Sequence, residues 1–97
     1  MKNFIVEGTI LDAEKMNDAI MEEHMGYTQR AMEAGMILLS GLKEDMRGGI
    51  FLVRAQNRAE VEDYLRDEPF GKNGIQSYRI IEFKVHYRSE KLSEWPR

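Results

Sequence analysis

Between Ala13 and Gly35 the chain carries its longest run of helical period, and that run constrains how everything around it can be arranged. Met16, Ile20, Tyr27, Ala31 and Ala34 return at steps of three and four, so a helix over this stretch sets them on one face. His24 falls on the same stripe, four residues after Ile20 and three before Tyr27. A titratable ring on an inward face is either a satisfied core residue or a working acid–base group. Asp12 stands where an N-cap carboxylate would accept from the open amides of the first turn. Gly26 costs the helix about 1 kcal/mol relative to alanine, and Gly35 reads as its C-terminal stop.

On both sides of this helix the period is two. From Asn3 to Ile10, Phe4, Val6 and Ile10 point one way and Asn3, Glu7 and Thr9 the other, as in a half-buried strand. Met36 to Leu42 is an apolar run that suits a strand buried on both faces. Lys43 to Gly49 reads as a hairpin loop, and Ile50 to Ala55 as a third strand. Asn57-Arg58-Ala59-Glu60 has capping-box spacing, and the short helix after it turns Val61, Tyr64 and Leu65 inward. Asp67 to Gly74 is the densest cluster of turn formers; Pro69 ends the helix and biases Glu68 towards an extended backbone. Gln76 to Tyr87 alternates again, with Ile81, Phe83, Val85 and Tyr87 against Glu82, Lys84 and His86. One domain over 1–88 and a tail over 89–97 follow, the tail anchored by Trp95 next to Pro96.

Strand, helix, strand, strand, helix, strand is the α+β, ferredoxin-like βαββαβ order: a four-stranded antiparallel sheet, 4-1-3-2, with two helices on one face. The open sheet face would then carry Ile5, Tyr78, Ile80 and part of Met36 to Leu39, and an apolar open face calls for a ligand or a partner. Two such sheets meeting make a dimeric α+β barrel. A domain of 97 residues buries only about 60–65% of its unfolded surface, so a homodimer or a higher oligomer is expected. The net charge of −3 and the lack of a basic stripe argue against a nucleic-acid partner. With no cysteine, disulfides and a thiolate nucleophile are excluded, which fits a reducing cytosol. No apolar run reaches the ~18 residues of a membrane span and no leader pattern opens the chain, so a soluble cytoplasmic protein off the membrane is expected. Seven methionines are many for this length and suit either adaptable core filling or a ligand-facing wall.

A partner for His24 has to come from elsewhere in the chain. Glu22 and Glu23 adjoin it, but adjacent helical residues do not face each other. Asp67-Glu68-Pro69-Phe70 is either a helix stop with Phe70 tucked into the core, or a rigid turn holding a carboxylate against a pocket wall. In the second case the carboxylate would fix the tautomer of His24 and raise its proton affinity. At Ser40-Gly41 a strand loses its side chain and a ligand can approach closely. His86 sits on a polar strand face, and two histidines at unrelated spacings give no metal signature. Gly48-Gly49 and Gly71 to Gly74 do not precede helices, so no phosphate loop is present.

Two of these motifs carry a resemblance over nearly the whole chain. His24 and Tyr27 followed by Glu33-Ala34-Gly35-Met36-Ile37-Leu38-Leu39-Ser40-Gly41 resembles the YCII-related family of small bacterial proteins. Glu68-Pro69-Phe70 with Gly74 shortly after resembles that family's Asp-Pro-Phe and following Ala-Gly. The resemblance implies a dimeric α+β barrel, a pocket at the sheet, and a histidine often partnered by an aspartate. It also implies acid–base chemistry on small, often aromatic-derived molecules; one branch removes chloride from a hydroxylated ring, and distant relatives of the fold include muconolactone isomerase. Here Glu68 stands in place of the aspartate, with Asp67 one residue earlier, and the extra methylene displaces the carboxylate. Family members begin the main helix just before the histidine. A start near Met21 sets the helix dipole against a protonated ring, whereas a start at Ala13 leaves His24 about 16 Å along the axis, with Glu68 out of reach.

Two functions are compatible with this pattern. One is a small enzyme of lyase or isomerase type with no cofactor and no metal: His24 moves a proton next to a carbonyl or enol, Glu68 or Asp67 orients the ring, and Ser40, Gly41, Pro69 and Phe70 bind a small-molecule substrate. The other is a non-catalytic dimeric module that binds a small molecule or a partner on the same open face. The cofactor-free monooxygenases that share the fold are a third class, and they need a substrate-sized cavity.

Overall fold

β1 (Lys2–Ile10) is the axis of the molecule. It pairs antiparallel with β3 (Gly49–Ala55) on one side and with β4 (Gln76–Phe83) on the other. β2 (Ile37–Leu42) extends the sheet beyond β3, for an order of β2-β3-β1-β4. The computed structural model describes residues 1–95. The helices are α1 (Asp18–Glu33) between β1 and β2, then α2 (Arg58–Asp67) and the single turn α3 (Pro69–Lys72) between β3 and β4. This is the expected ferredoxin-like α+β arrangement. Among the described residues no helix is long and apolar enough to cross a membrane.

Alternation on β1 sets the core. Phe4 and Val6 are fully buried beneath the helices and meet Val53 and Phe51 of β3 across the ladder. Ile37, Ala31, Val61 and Leu65 close over them from β2, α1 and α2. Each large apolar side chain taken from water here contributes about 1.5–3 kcal/mol. Asn57 caps α2 by accepting from Glu60 N–H at 3.0 Å, while the Glu60 carboxylate reaches back to Gln56 N–H at 3.1 Å.

Several local expectations are corrected. α1 does not begin at Ala13. Residues Ala13–Lys15 form a separate 3-10 turn, capped by Asp12, and Met16 is extended at φ −68°, ψ 134°. The helix proper starts after Asn17, whose side-chain oxygen accepts from Ile20 N–H at 2.9 Å. The interruption has a physical cause: the Leu11 amide is tied to Ile75 O at 2.7 Å, so the chain first crosses the end of the sheet. Ala34, placed on the inward stripe by periodicity, is exposed past the helix end, and Gly35 supplies the stop at φ 78°.

β2 is an edge strand rather than one buried on both faces; only Ile37 of it is buried, and the register shifts between Ile37 and Leu39. β4 stops at Phe83, so Val85, His86 and Tyr87 lie beyond it, exposed. Tyr78 and Ile80 face the helices, not the open side: they pair with Gly8 and Val6, which belong to the covered row. The open face instead carries one apolar row, Leu39–Leu52–Ile5–Ile81, in register across all four strands. Trp95 is 58% exposed, and Pro96 lies outside the described residues.

Candidate active site

The junction between α2 and α3 puts a carboxylate where no water reaches it. Pro69 holds Glu68 extended at φ −65°, ψ 129°, so this one residue ends α2 and caps α3. Its side chain is fully buried. Oε2 accepts from the Phe70 amide at 3.0 Å, the Gly71 amide at 3.2 Å and the Tyr78 hydroxyl. Oε1 accepts from His24 Nδ1. A carboxylate with four donors has no need of a proton of its own. Burial pushes the Glu68 carboxyl upward, but the hydrogen bonds from His24 and Tyr78, the charge His24 can carry and the Gly71 amide outweigh it, and hold the group below the ordinary glutamate value.

His24 is fixed on two sides. It is the seventh residue of α1, about 9 Å along the axis from the first, past the first turn in which the helix dipole acts. Starting α1 at Asp18 therefore brings the ring to Glu68, where a helix from Ala13 promised too long a reach. One ring edge meets the carboxylate, and one face stacks on Phe70 with centroids 3.7 Å apart and planes 2° from parallel. Because an ionised Glu68 only accepts, Nδ1 carries the hydrogen, and Nε2 is the basic nitrogen left for a ligand.

Beside the ring lies a cavity of about 350 Å³. α1 contributes Met21, His24 and Thr28 to its wall, β2 contributes Ser40, Gly41 and Leu42, and Phe51, Phe70 and Gln76 complete much of the rest. Among the described residues no Asp, Glu, Lys or Arg lines it, and His24 is the one ionisable side chain there. Among the described residues no three side chains of His, Cys, Asp or Glu are grouped to hold a metal ion.

The structure thus brings His24, Glu68, Phe70, Ser40 and Gly41 together and leaves two expected residues out. Asp67 is exposed and faces a separate outer hollow beside Glu22 and Arg30. Pro69 is buried but lines that outer hollow rather than the cavity. Periodicity missed Tyr78 and Gln76. Their hint was Gly8: it occupies an inward position of β1 after Phe4 and Val6, and so leaves a space that another side chain must fill. A Cβ at Gly8 would run into the Gln76 carboxamide.

The same fold occurs in 5-chloro-2-hydroxyhydroquinone dehydrochlorinase from Burkholderia phenoliruptrix, solved in complex with 2,5-dihydroxybenzoquinone. The TM-score is 0.72 and the sequence identity 17%, covering 87% of this chain and 95% of that one. An Arabidopsis thaliana protein is similar at a TM-score of 0.46 and 13% identity, covering 92% of this chain and 99% of that one. No match is found among the curated proteins. A family model described as a YCII-related domain matches residues 1–84. With that match spanning all four strands and the His24–Glu68 pair, the chain belongs to the YCII-related family.

Proposed function

We propose that this protein is a cofactor-independent enzyme of lyase or isomerase type, acting on a small ring-sized molecule that carries hydroxyl or carbonyl groups. The observation that carries the reading is the pairing of His24 Nδ1 with a buried carboxylate, which leaves Nε2 as a base beside a cavity. Nε2 takes a proton from a carbon next to a carbonyl or enol. The electron pair left behind either spreads onto the oxygen or expels a leaving group from the neighbouring carbon. The imidazolium, held against Glu68, then returns the proton to product or leaving group. Ser40, Gly41 and Phe70 shape the binding site.

The lining supports the substrate class. About 350 Å³ is the lower range of small-molecule sites. Among the described residues the lining supplies no fixed cation as counter-ion for a phosphate or carboxylate group, whereas apolar walls with a few hydroxyls suit a ring. The dehydrochlorinase that shares the fold acts on a substituted hydroquinone, which fits this class. A purely non-catalytic module would be favoured by a collapsed pocket with His24 bonded to backbone, and neither feature is present at His24. The apolar row Leu39–Leu52–Ile5–Ile81 fits a second copy of the chain, so the working form in this reading is a homodimer.

The test follows proton exchange and chloride release on a panel of ring enols, ketones and chlorinated hydroquinones, in the unaltered protein and in His24→Gln. A loss of at least about 100-fold with an unchanged melting curve is expected. Equal turnover in both proteins would sink the proposal, and so would unfolding of the variant with no turnover by the unaltered protein.

A further inference from the structure

Glu68 is supplied with donors very unevenly. Oε1 has His24 alone, whereas three donors converge on Oε2. Two of the three, the Phe70 and Gly71 amides, belong to the turn that Glu68 itself caps and would orient any capping carboxylate. The third comes from another element. Tyr78 lies on β4, ten residues further on, and its hydroxyl ties the cap to the sheet.

The direction of that hydroxyl is set by its own neighbour. Gln76, 5% exposed, accepts from the Gly49 amide at 3.2 Å through Oε1, so its Nε2 points at the Tyr78 oxygen, 3.0 Å away. With its lone pair engaged, Tyr78 sends its hydrogen to Glu68. The hydrogen bonds therefore run in one sense from the Gly49 amide through Gln76 and Tyr78 to Glu68, and His24 donates from the opposite side. Two glycines make room for this chain. A Cβ at Gly8 would collide with the Gln76 carboxamide, and one at Gly71 would stand 2.9 Å from Leu65 O and 3.1 Å from the Tyr78 ring.

We propose that Tyr78 is a positioning residue of the His24–Glu68 pair, holding Glu68 Oε2 through a hydroxyl that Gln76 orients, so that Oε1 meets the imidazole in a single geometry. The inference rests on the acid–base reading of His24. It explains how a glutamate, with one more rotatable bond than an aspartate, holds a ring in register: the added freedom is removed by a donor from the sheet. It also sets the strength of the pair, because a carboxylate that shares its charge with Tyr78 pulls less strongly on the proton of His24.

The titratable groups facing Glu68 are His24 and Tyr27 from α1, Tyr64 from α2 and Tyr78 from β4, with Asp67 adjoining and Arg30 facing Tyr27 and Tyr64. Burial first, then the charge of Glu68, pushes the Tyr64 hydroxyl well above the ordinary tyrosine value; burial, then the hydrogen bond to Glu68 and its charge, does the same to Tyr78; burial, Asp67 and Glu68 raise that of Tyr27. His86, exposed beyond β4, is an internal reference.

The experiment is a proton NMR titration of the His24 and His86 ring signals in the unaltered protein, in Tyr78→Phe and in Gln76→Met. Tyr78→Phe keeps the ring that packs on the core and removes only the hydroxyl. The midpoint for proton uptake by the pair should move upward by about one pH unit, with His86 unmoved. Gln76→Met should move it the same way by less, and carries the test if Tyr78→Phe does not fold. Midpoints that coincide with the unaltered protein overturn the inference. The acid–base reading stands or falls separately, on the turnover of His24→Gln.

Discussion

The carboxylate at position 68 divides its two oxygens between two tasks. One oxygen serves the α3 cap and Tyr78 while the other serves His24. A carboxamide at this position has a single acceptor oxygen: turned to the three donors at Oε2 it presents its NH₂ to His24 Nδ1, which can then only accept, and the charge-assisted bonds of the carboxylate are lost. Glu68→Gln should accordingly lose on the order of 3 kcal/mol, read as a lower urea midpoint. The sign of the pH dependence follows from the direction of the shift. Glu68 is held below the ordinary value of 4.5, so its contribution is full above that pH and is lost as pH falls through the lower folded value. Urea unfolding between about pH 7 and about pH 3 should show this acid limb in the unaltered protein and a smaller one in Glu68→Gln. The pairing of His24 with a carboxylate of this turn was legible in the letters; the division of labour between the two oxygens was not. His24 announced itself by its place on the helical stripe, but Glu68 and Asp67 could not be told apart, since one is fully buried and the other exposed only because Pro69 redirects the chain between two helices.

At the level of elements, the order of strands and helices was readable because the period switches cleanly between two and about 3.6. Two things were not. Asp12 and Asn17 are both good N-caps, and periodicity alone does not choose between them; the tether from Leu11 to Ile75 decides, and it joins residues 64 positions apart. Asn17→Ala should cost about 1 kcal/mol in thermal or urea unfolding, whereas Asp12→Ala, which removes the cap of an exposed 3-10 turn, should stay within about 0.5 kcal/mol. The reverse ranking would mean that α1 begins where the apolar stripe begins. β4 misled for a different reason. Alternation says which residues share a face but not which face is covered, and here both faces carry apolar side chains: Tyr78 and Ile80 inward, Ile81 outward. Pairing with β1 settles it, and that pairing is not a local property.

For the whole molecule, the question is what covers the row Leu39–Leu52–Ile5–Ile81. A cation placed in its middle tests the proposed homodimer. Ile5→Lys should leave the helix-covered core intact and shift sedimentation from dimer to monomer at micromolar concentration, because burying an ammonium in that face would cost several kcal/mol. A monomeric unaltered protein would remove the dimer from the account and leave the cavity, which is built within one chain, in place. Within each chain the imidazole of His24 is tied at Nδ1 by Glu68, with Nε2 free beside the cavity. Imidazole nitrogen-15 NMR of the unaltered protein above neutral pH measures it directly. One fixed tautomer is expected for His24, hydrogen on Nδ1 and none on Nε2, with the Nε2 signal shifting when a ring enol is added. A hydrogen on Nε2, or a tautomer average like that of exposed His86, would contradict it.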